Sequence, residues 1–356
     1  MSNEITSIST KVAPEGYLDT FLPFIQLPPE LRCIIQEFAI RDCQRGAHFF
    51  STSKRPSRSG RTTGHSHLDI EDIYGFELTA PKSQTEPNSV QDWFVGNPSA
   101  YVKDVALWTM CWESRDIIIK RYKQLDKHMG PSSGSTEVSQ FVSCQFTRNK
   151  DKCQFKVSPA QDLFCIQIHH GRDPWYITPF YRLPGSSRVT KFTNTAIEYD
   201  TNWLKSWEPG FDEQCLENSP RGCFIRTLWA VAEGRMPAGC QFWIIDRNIQ
   251  RRDKPRSTPI PSEDSEDDNA DEQEKPKPLV FQGLDRRYVE VRGLEECNWD
   301  ALTQNTVFHF LHWLQMRAGF NVHWMMRHRG RFERDKPRLQ HRDLDEMVKV
   351  LCEEKL

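Results

Sequence analysis

The stretch PPELRCIIQEFAIRD, residues 28–42, carries the clearest helical pattern in this chain. Pro28 and Pro29 suit the first turn of a helix, where backbone N–H groups have no partner within the helix. The apolar residues after them recur at the spacing of one helical face: Leu31, Ile34, Ile35, Phe38 and Ala39. We therefore predict an amphipathic helix, and we expect its apolar stripe to lie in the core of the protein's own domain.

A second helical region is predicted from about residue 100 to residue 125, and it contains the stretch CWESR at residues 111–115. Each region holds one Glu-x-Arg tripeptide: Glu30-Leu31-Arg32 in the first and Glu113-Ser114-Arg115 in the second. In an α-helix, residues two apart point about 200° away from each other, so the two charges of one tripeptide cannot pair. Each charge must find a partner elsewhere or remain in solvent.

Pairing between the two helices is one way to satisfy these charges. Arg115 lies on an apolar stripe, where a guanidinium without a carboxylate partner is costly. We predict that the helices pack side by side and that Glu30 meets Arg115, with a Glu113–Arg32 pair as the less favoured alternative. Such a pair would fix the alignment of the helices more than it would add stability, because desolvation offsets much of the Coulomb attraction. The other reading is that all four charges stay solvated at the helix borders.

Three short stretches after the second helix are typical of β-strands, since they are rich in Phe, Val, Ile and Cys: SQFVSCQF, CQFKV and LFCIQI, within residues 139–168. The last two are separated by SPAQD, residues 158–162, a loop length that suits a hairpin. We expect CQFKV and LFCIQI to form an antiparallel pair.

A strand–helix–strand pattern follows in FTNTAIEYD, CFIRTLWAVAEGR and QFWIIDR, within residues 192–247. Such a crossover places the two strands parallel with the helix on one face of the sheet. Further along, YVEVR at residues 288–292 is predicted as a strand. The segments at residues 299–320 and 343–356 have the apolar spacing of helices.

Together these elements predict an α+β fold, in which N-terminal helices pack with a small mixed β-sheet and C-terminal helices fold back on it. The small sheet would consist of the antiparallel hairpin and the β-α-β unit. The predicted segments are a flexible tail over residues 1–20, a domain over 21–248 with a basic flexible loop at about 51–67, a disordered acidic and proline-rich linker over 249–278, and a mostly helical portion over 279–356. The linker has too few apolar residues to bury the surface that folding requires.

Composition argues against several classes of protein. With 47 basic and 49 acidic residues, the chain is not built as a whole to coat nucleic acid or anionic lipid. Its start, MSNEITSIST, lacks the basic and apolar pattern of a signal peptide, and eleven irregularly spaced cysteines fit reduced thiols. No apolar stretch has the length needed to span a bilayer. We therefore expect a protein of the cytoplasm or the nucleus that does not use a membrane.

Patterns for metal binding and catalysis are weak in this sequence. It has no Cys-x-x-Cys pair, no phosphate-binding glycine loop and no dinucleotide fingerprint. The histidines that could hold zinc are His169, His170, His309, His312, His323 and His328. Histidines near aromatic helices are more often hydrogen-bonded boundary residues. We expect no catalytic residue, no metal site and no cofactor, and hence a protein that is not an enzyme.

Two basic runs leave a nucleic-acid interpretation open, KRPSRSGR at residues 54–61 and RHRGRFERDKPR at residues 327–338. Such runs can contact phosphates. Acidic residues interrupt the second run, and the acidic linker could neutralise it within the chain. Weak binding of nucleic acid is therefore kept as a second alternative function.

The run from Phe24 to Ile40 resembles the opening of the two-EXR domain, a family found widely in fungal proteins and named for its two Glu-x-Arg motifs. CWESR and the later Tyr122 look like its second motif, and SPAQDLFCIQ and NTAIEYD resemble the strands that follow. The resemblance covers about residues 21–248. The motif residues are Leu27, Pro28, Glu30, Leu31, Arg32, Glu113, Ser114 and Arg115.

Two positions depart from the family pattern: Gln36 stands where tryptophan is common, and Trp112 where arginine or asparagine is frequent. The family implies a mixed α and β domain and brings no settled biochemical activity. We expect a non-enzymatic protein-interaction or scaffold domain with a protein partner that the sequence does not identify.

The first motif is also similar to the first helix of an F-box, in which Leu-Pro-x-Glu starts a helix that binds a ubiquitin-ligase adaptor. That similarity implies a substrate-receptor component of a ubiquitin ligase as the alternative function. The adaptor surface would consist of Leu27, Pro28, Glu30, Leu31 and Ile35. Because an amphipathic helix usually faces its own domain, core packing of the same stripe is the favoured reading.

Overall fold

A computed structural model describes residues 24–41, 44–54, 76–81, 96–128, 141–148, 151–168, 177–186, 189–204, 217–232, 239–252, 276–298, 305–316 and 347–356. Five helices lie in these ranges: α1 Pro29–Ala39, α2 Tyr101–Met110, α3 Trp112–His128, α4 Pro220–Ala232 and α5 at residues 307–316. Short 3-10 turns occur at Phe24–Gln26, Thr201–Leu204 and Leu294–Glu296. No helix in the described ranges combines the length and the apolar character needed to cross a membrane.

Twelve strands accompany these helices in the described part of the chain. They are β1 Ala47–Lys54, β2 Phe76–Thr79, β3 Val142–Arg148, β4 Asp151–Val157, β5 Leu163–Gln167, β6 Phe180–Arg182, β7 Val189–Lys191, β8 Asn194–Glu198, β9 Gln241–Asp246, β10 Val280–Gln282, β11 Arg286–Val291 and β12 Val348–Lys355. Ten of them form one mixed sheet in the order β10-β11-β12-β9-β8-β5-β1-β2-β6-β7, while β3 and β4 form a separate hairpin.

Seven strands of the large sheet form a closed ring. Its neighbours β12, β9, β8, β5 and β1 are all parallel. At the far side, Gly46 forms a parallel bridge with Gln282 at the end of β10, and the Gln282 N–H donates to the Arg45 carbonyl at 2.7 Å. The second half of β1, from Ser51 to Lys54, instead pairs antiparallel with β2. The residues just before β1 therefore close the ring, and the second half of β1 begins the extension through β2, β6 and β7.

The interior of the ring is a small apolar core, to which each of the seven strands contributes: Ala47, Phe49, Leu163, Cys165, Ala196, Trp243, Ile245, Phe281, Tyr288 and Leu351. Along β9, Trp243 and Ile245 face this interior, whereas Phe242 and Ile244 face the larger core outside. This alternation follows from the two-residue period of a strand. The indole Nε1 of Trp243 donates to Asn194 Oδ1 at 3.1 Å, so its polar group is satisfied inside the ring.

The larger core lies between the outer face of the sheet and the layer formed by α2, α4, α5 and the β3–β4 hairpin. Aromatic pairs hold this layer against the sheet: the ring of Phe50 on β1 lies 5.5 Å from that of Tyr101 on α2 and 6.5 Å from that of Phe155 on β4. Such pairs add stability beyond the surface that they bury. Because both faces of the ring are covered, its parallel strands are apolar on both sides.

The fold prediction from sequence is wrong in its sheet and in its C-terminal portion. The sheet has ten strands rather than a few, and residues 279–356 contribute three strands and one helix to the described structure. The segment predicted as a closing helix forms β12, between β9 and β11. Val350 and Cys352 face the outer core and Leu351 faces the ring interior. Apolar residues on both faces of a strand also satisfy a helical spacing, so periodicity could not separate the two.

The predicted hairpin is also wrong. β4 pairs antiparallel with β3, whereas β5 enters the large sheet and runs parallel to β1 and β8. The SPAQD turn is held to the start of β1, because the Leu163 N–H donates to the Gly46 carbonyl and the Gly46 N–H donates to Asp162 Oδ1, both at 2.8 Å. These bonds direct the chain into the ring instead of back along β4.

Other predicted segments have mixed outcomes. The strands β8 and β9, with α4 between them, are parallel neighbours in a β-α-β unit. The single helix expected at about 100–125 is two helices, because Cys111 is extended (φ −157°, ψ 176°). The tail over residues 1–20 lies outside the described residues, as do residues 55–67 of the basic loop and 253–275 of the linker.

Candidate functional site

The helix α1 packs against α2 and α3, so the two Glu-x-Arg segments are neighbours. The pair that forms is Arg32 Nη2 with Glu113 Oε1 at 3.0 Å. The favoured pairing of Glu30 with Arg115 is wrong: Glu30 is exposed, and the exposed Arg115 side chain donates from Nε to the Cys111 carbonyl at 3.2 Å. The reason is that α1 turns the face carrying Arg32, and not the face carrying Glu30, toward α3.

The buried face of α1 is its polar one. Arg32, Gln36 and Ile40 are four residues apart and so share a face. Gln36 is only 1% exposed, and its Nε2 donates to Cys111 Sγ at 3.7 Å. Ile40 packs against α2 and α3 together with Ile118. This face therefore packs α1 against the junction between α2 and α3.

The apolar face of α1 points the other way, so the prediction that it is core is wrong. Its exposed fractions are 47% for Leu31, 48% for Ile34, 44% for Ile35 and 87% for Phe38. Two more exposed apolar side chains, Met110 and Trp112, flank Cys111, which α1 contacts through Gln36. Amphipathic spacing predicts that a helix has an apolar face, but it does not say whether the chain itself covers that face.

The remaining motif residues have structural surroundings. Leu27 is half-buried, and its N–H donates to the Phe24 carbonyl at 3.2 Å, which closes the turn before α1. Pro28 is exposed at the N-cap of α1. Ser114 is buried, and its hydroxyl donates to the Leu107 carbonyl at 2.6 Å. Ser114 therefore joins the end of α2 to the start of α3.

Behind α1 lies a group of buried charges that the sequence analysis did not identify. Arg41, whose side chain is 8% exposed, donates from Nε to the Tyr122 hydroxyl at 3.0 Å and from Nη2 to the Lys156 carbonyl at 2.8 Å. The Tyr122 hydroxyl in turn donates to Asp104 Oδ2 at 2.5 Å. The Arg41 guanidinium also lies 3.3 Å from Asp104 and 3.8 Å from Asp162. One arginine thus connects α1 with α2, α3 and the β4–β5 turn.

Asp162 is the second carboxylate of this group. Its Oδ2 lies 2.7 Å from the Ser158 N–H and 2.9 Å from His48 Nε2. Burial raises the pKa of Asp162, but His48, Arg41 and these hydrogen bonds outweigh that effect and hold the pKa below its usual value. A charged carboxylate at this position therefore needs its partners. The one sequence signal for the group was Asp104 within the apolar run AYVKDVALW.

A second polar network lies at the end of the ring where the parallel strands finish. Arg247, just after β9, contacts Glu198 of β8, and its Nε lies 3.3 Å from Glu353 of β12. Arg286 Nη1 lies 2.9 Å from Glu353 Oε1. Burial raises the pKa of Glu198 despite the nearby Arg247. The network places alternating charges over the apolar interior of the ring.

No group of three or more His, Cys, Asp or Glu side chains is placed to hold a metal ion in the described ranges. Of the six histidines considered for zinc, His309 and His312 fall in these ranges, and His309 Nδ1 lies 2.9 Å from Thr306 Oγ1. The others lie outside them: His169, His170, His323 and His328.

No protein-family profile, no curated protein and no solved structure matches the chain. Relatives therefore supply no activity, ligand or partner for it.

Breaking the Arg32–Glu113 pair should change stability only slightly. Both side chains are partly exposed, and such pairs contribute about 0.2–1 kcal/mol. We expect a coupling energy in that range from a double-mutant cycle of Arg32→Ala and Glu113→Ala, measured by urea unfolding. A parallel cycle on the more exposed Asp116–Lys120 pair should give a smaller coupling. A coupling above about 2 kcal/mol would show that the Arg32–Glu113 pair behaves as a buried one.

Proposed function

We propose that this chain is a non-enzymatic protein-interaction or scaffold domain of the two-EXR type, and that it binds a protein partner of the cytoplasm or nucleus through the apolar face of α1. The observation that supports this proposal is the exposure of that face in the described structure. Four large apolar side chains on one helix, opposite the side that packs on the domain, form a contiguous patch of the kind that marks interaction surfaces.

The spacing of the patch suits a known mode of recognition. Leu31, Ile34, Ile35 and Phe38 occupy positions i, i+3, i+4 and i+7, which are the anchor positions of a helix that lies in an apolar groove. Full burial of such a side chain is worth about 1.5–3 kcal/mol. Because these four are about half exposed or more, a groove that covers them gains several kcal/mol.

The other side of α1 supports the same proposal, because it keeps the helix folded before a partner arrives. Its contacts with α2 and α3 include the Arg32–Glu113 pair and the Gln36–Cys111 bond. Arg41, directly after the helix, is bonded to Tyr122 and to the Lys156 carbonyl. A helix that is already ordered loses little conformational entropy on binding.

The F-box-like alternative gains support from the same exposure. Leu31 and Ile35, which the F-box similarity assigns to the adaptor surface, are accessible, and Pro28 and Glu30 are exposed beside them. A ubiquitin-ligase adaptor is therefore the first partner to test. The nucleic-acid alternative depends on basic runs that lie outside the described residues, apart from Lys54.

The test uses purified full-length protein and a purified ubiquitin-ligase adaptor in a pull-down and in calorimetry. If α1 is the docking surface, Leu31→Asp should weaken binding at least about tenfold, a loss of 1.4 kcal/mol or more, because it places a charge in the groove. Met316→Asp is the matched control, since it changes an exposed apolar side chain on a different helix, α5, and should leave binding unchanged.

The stability of variants on the apolar face of α1 distinguishes this proposal from core packing of the same face. This measurement needs no partner protein. If the face is free, Leu31→Asp and Phe38→Asp should leave the free energy of unfolding within a few tenths of a kcal/mol of the wild-type value. A loss of about 2 kcal/mol or more in both variants would mean that the chain itself covers the face, and the proposal would be wrong. Absence of adaptor binding by a stable wild-type protein would remove the F-box-like alternative alone.

A further inference from the structure

The residue at the start of α3 is a cysteine that acts as a helix cap. Cys111 Sγ accepts the N–H of Ser114 at 3.4 Å, and the Ser114 hydroxyl oxygen accepts the N–H of Cys111 at 3.2 Å. These reciprocal bonds are those of a capping box, with sulfur in the place usually taken by a serine or threonine oxygen. The helix behind this cap, Trp112–His128, has 17 residues.

The surroundings of Cys111 favour its thiolate. A helix N-terminus carries partial positive charge, and Gln36 Nε2 on α1 adds a further donor at 3.7 Å from the sulfur. Partial burial raises the pKa of the Cys111 thiol, but hydrogen bonds from Ser114 and from the Glu113 backbone outweigh it, so the pKa lies below its usual value. Cys111 is only half-buried, unlike the enclosed cysteines of the core.

A second observation comes from α1 and concerns Gln36. This side chain is almost fully buried, yet its Oε1 has no hydrogen-bond partner in the described structure. A buried acceptor without a partner costs about 1–3 kcal/mol. The same amide already contacts Cys111 Sγ through Nε2. A hydroxyl group attached to the sulfur would supply the donor that Gln36 Oε1 lacks.

We propose that Cys111 is a peroxide-sensitive modification site, and that its sulfenic acid is held by the amide of Gln36. In the reaction, the thiolate sulfur attacks one oxygen of hydrogen peroxide, the O–O bond breaks, and the departing hydroxide takes up a proton to become water. The sulfur is oxidised by two electrons to Cys–S–OH, and the peroxide is reduced. The inference does not depend on partner binding by α1, so either proposal can fail alone.

The other described cysteines make the proposed site selective. Cys33 on α1 is exposed, but it caps no helix. Cys144 and Cys165 are fully enclosed, and burial raises the pKa of both thiols. If access alone governed oxidation, Cys33 would react first. If stabilisation of the thiolate governs it, Cys111 reacts first.

The experiment treats reduced full-length protein with hydrogen peroxide in the presence of dimedone, which traps sulfenic acids, and quantifies each labelled peptide by mass spectrometry. We expect labelling at Cys111 to be severalfold faster than at Cys33. Equal rates, or faster labelling of Cys33, would overturn the proposal, because the more exposed thiol would then be at least as reactive.

Two variants test the roles of the neighbours. Gln36→Leu keeps the side-chain volume but removes the amide, and it should lower the yield of trapped Cys111 while leaving Cys33 unchanged. Ser114→Ala removes the hydroxyl that accepts the Cys111 N–H, which loosens the start of α3, and it should therefore also slow labelling of Cys111. Because Ser114 is buried and could be needed for folding, circular dichroism accompanies both, and Gln36→Leu decides the outcome if Ser114→Ala does not fold. Wild-type labelling of Cys111 in folded Gln36→Leu would contradict the role of the amide.

Discussion

Replacing Arg41 by methionine is expected to destabilise the protein by about 3–5 kcal/mol, because it leaves buried carboxylates without their charged partner. Asp104 and Asp162 both lie within 4 Å of the Arg41 guanidinium and are themselves buried. Methionine fills much of the arginine volume with a flexible apolar chain, so the loss reports charge and hydrogen bonding more than packing. Urea unfolding with linear extrapolation gives the free energy of unfolding.

The loss of stability caused by Arg41→Met should depend on pH. Since the pKa of Asp162 is lowered in the folded protein, its stabilising contribution is present above the unfolded pKa of about 3.9 and is lost as pH falls through the folded pKa. Without Arg41 the carboxylates gain by becoming neutral, so the difference between wild type and Arg41→Met should shrink in acid. Arg121→Met, on the exposed side of α3, is the matched control and should have little effect. A difference independent of pH would contradict the electrostatic explanation.

Trp243→Ala should be similarly damaging, with a loss of about 3–5 kcal/mol. Trp243 is 1% exposed inside the strand ring, where its ring lies 5.4 Å from that of Phe281 on β10. Truncation opens a cavity between β9 and β10 and leaves Asn194 Oδ1 without the indole N–H. The strands around the cavity are tied into a closed ring, so they can collapse only partly.

A matched tryptophan controls for the residue type. Trp112→Ala removes an indole that is 71% exposed and should change the unfolding free energy by no more than about 0.5 kcal/mol. Both variants are compared by thermal and urea unfolding. Equal effects at the two positions would mean that the ring interior is not the packed core described above.

Local signals in the sequence led to the correct secondary structure where they were strong and short in range. The proline pair and apolar spacing at residues 28–42 predicted α1, found at Pro29–Ala39. The strand–helix–strand pattern predicted β8, α4 and β9 as a parallel unit, because such a crossover has few geometric solutions. Periodicity failed at β12, where both faces of a strand are buried and the apolar spacing matches either structure.

In the candidate site, too, local sequence signals predicted the helices but not the contacts between distant residues. The Glu-x-Arg motifs correctly placed two helices side by side, but the pair that forms, Arg32 with Glu113, depends on which face of α1 turns inward. Arg41, Asp104 and Asp162 are scattered over 122 positions of the chain from first to last, and nothing local marks them as partners. Only the packing of α1, α2, α3 and the β4–β5 turn against one another brings them within bonding distance.

From the order of residues alone follow the first helix, the strand–helix–strand unit of β8, α4 and β9, the absence of familiar catalytic patterns, and the existence of an apolar stripe on the first helix. Folding in three dimensions settled the closure of the ring, the pairing of charges and the direction in which that stripe faces. The physical reason is the distance along the chain over which each interaction acts. Turn chemistry and apolar spacing act between near neighbours, whereas burial and ion pairing join residues that are distant in the chain and depend on the whole arrangement.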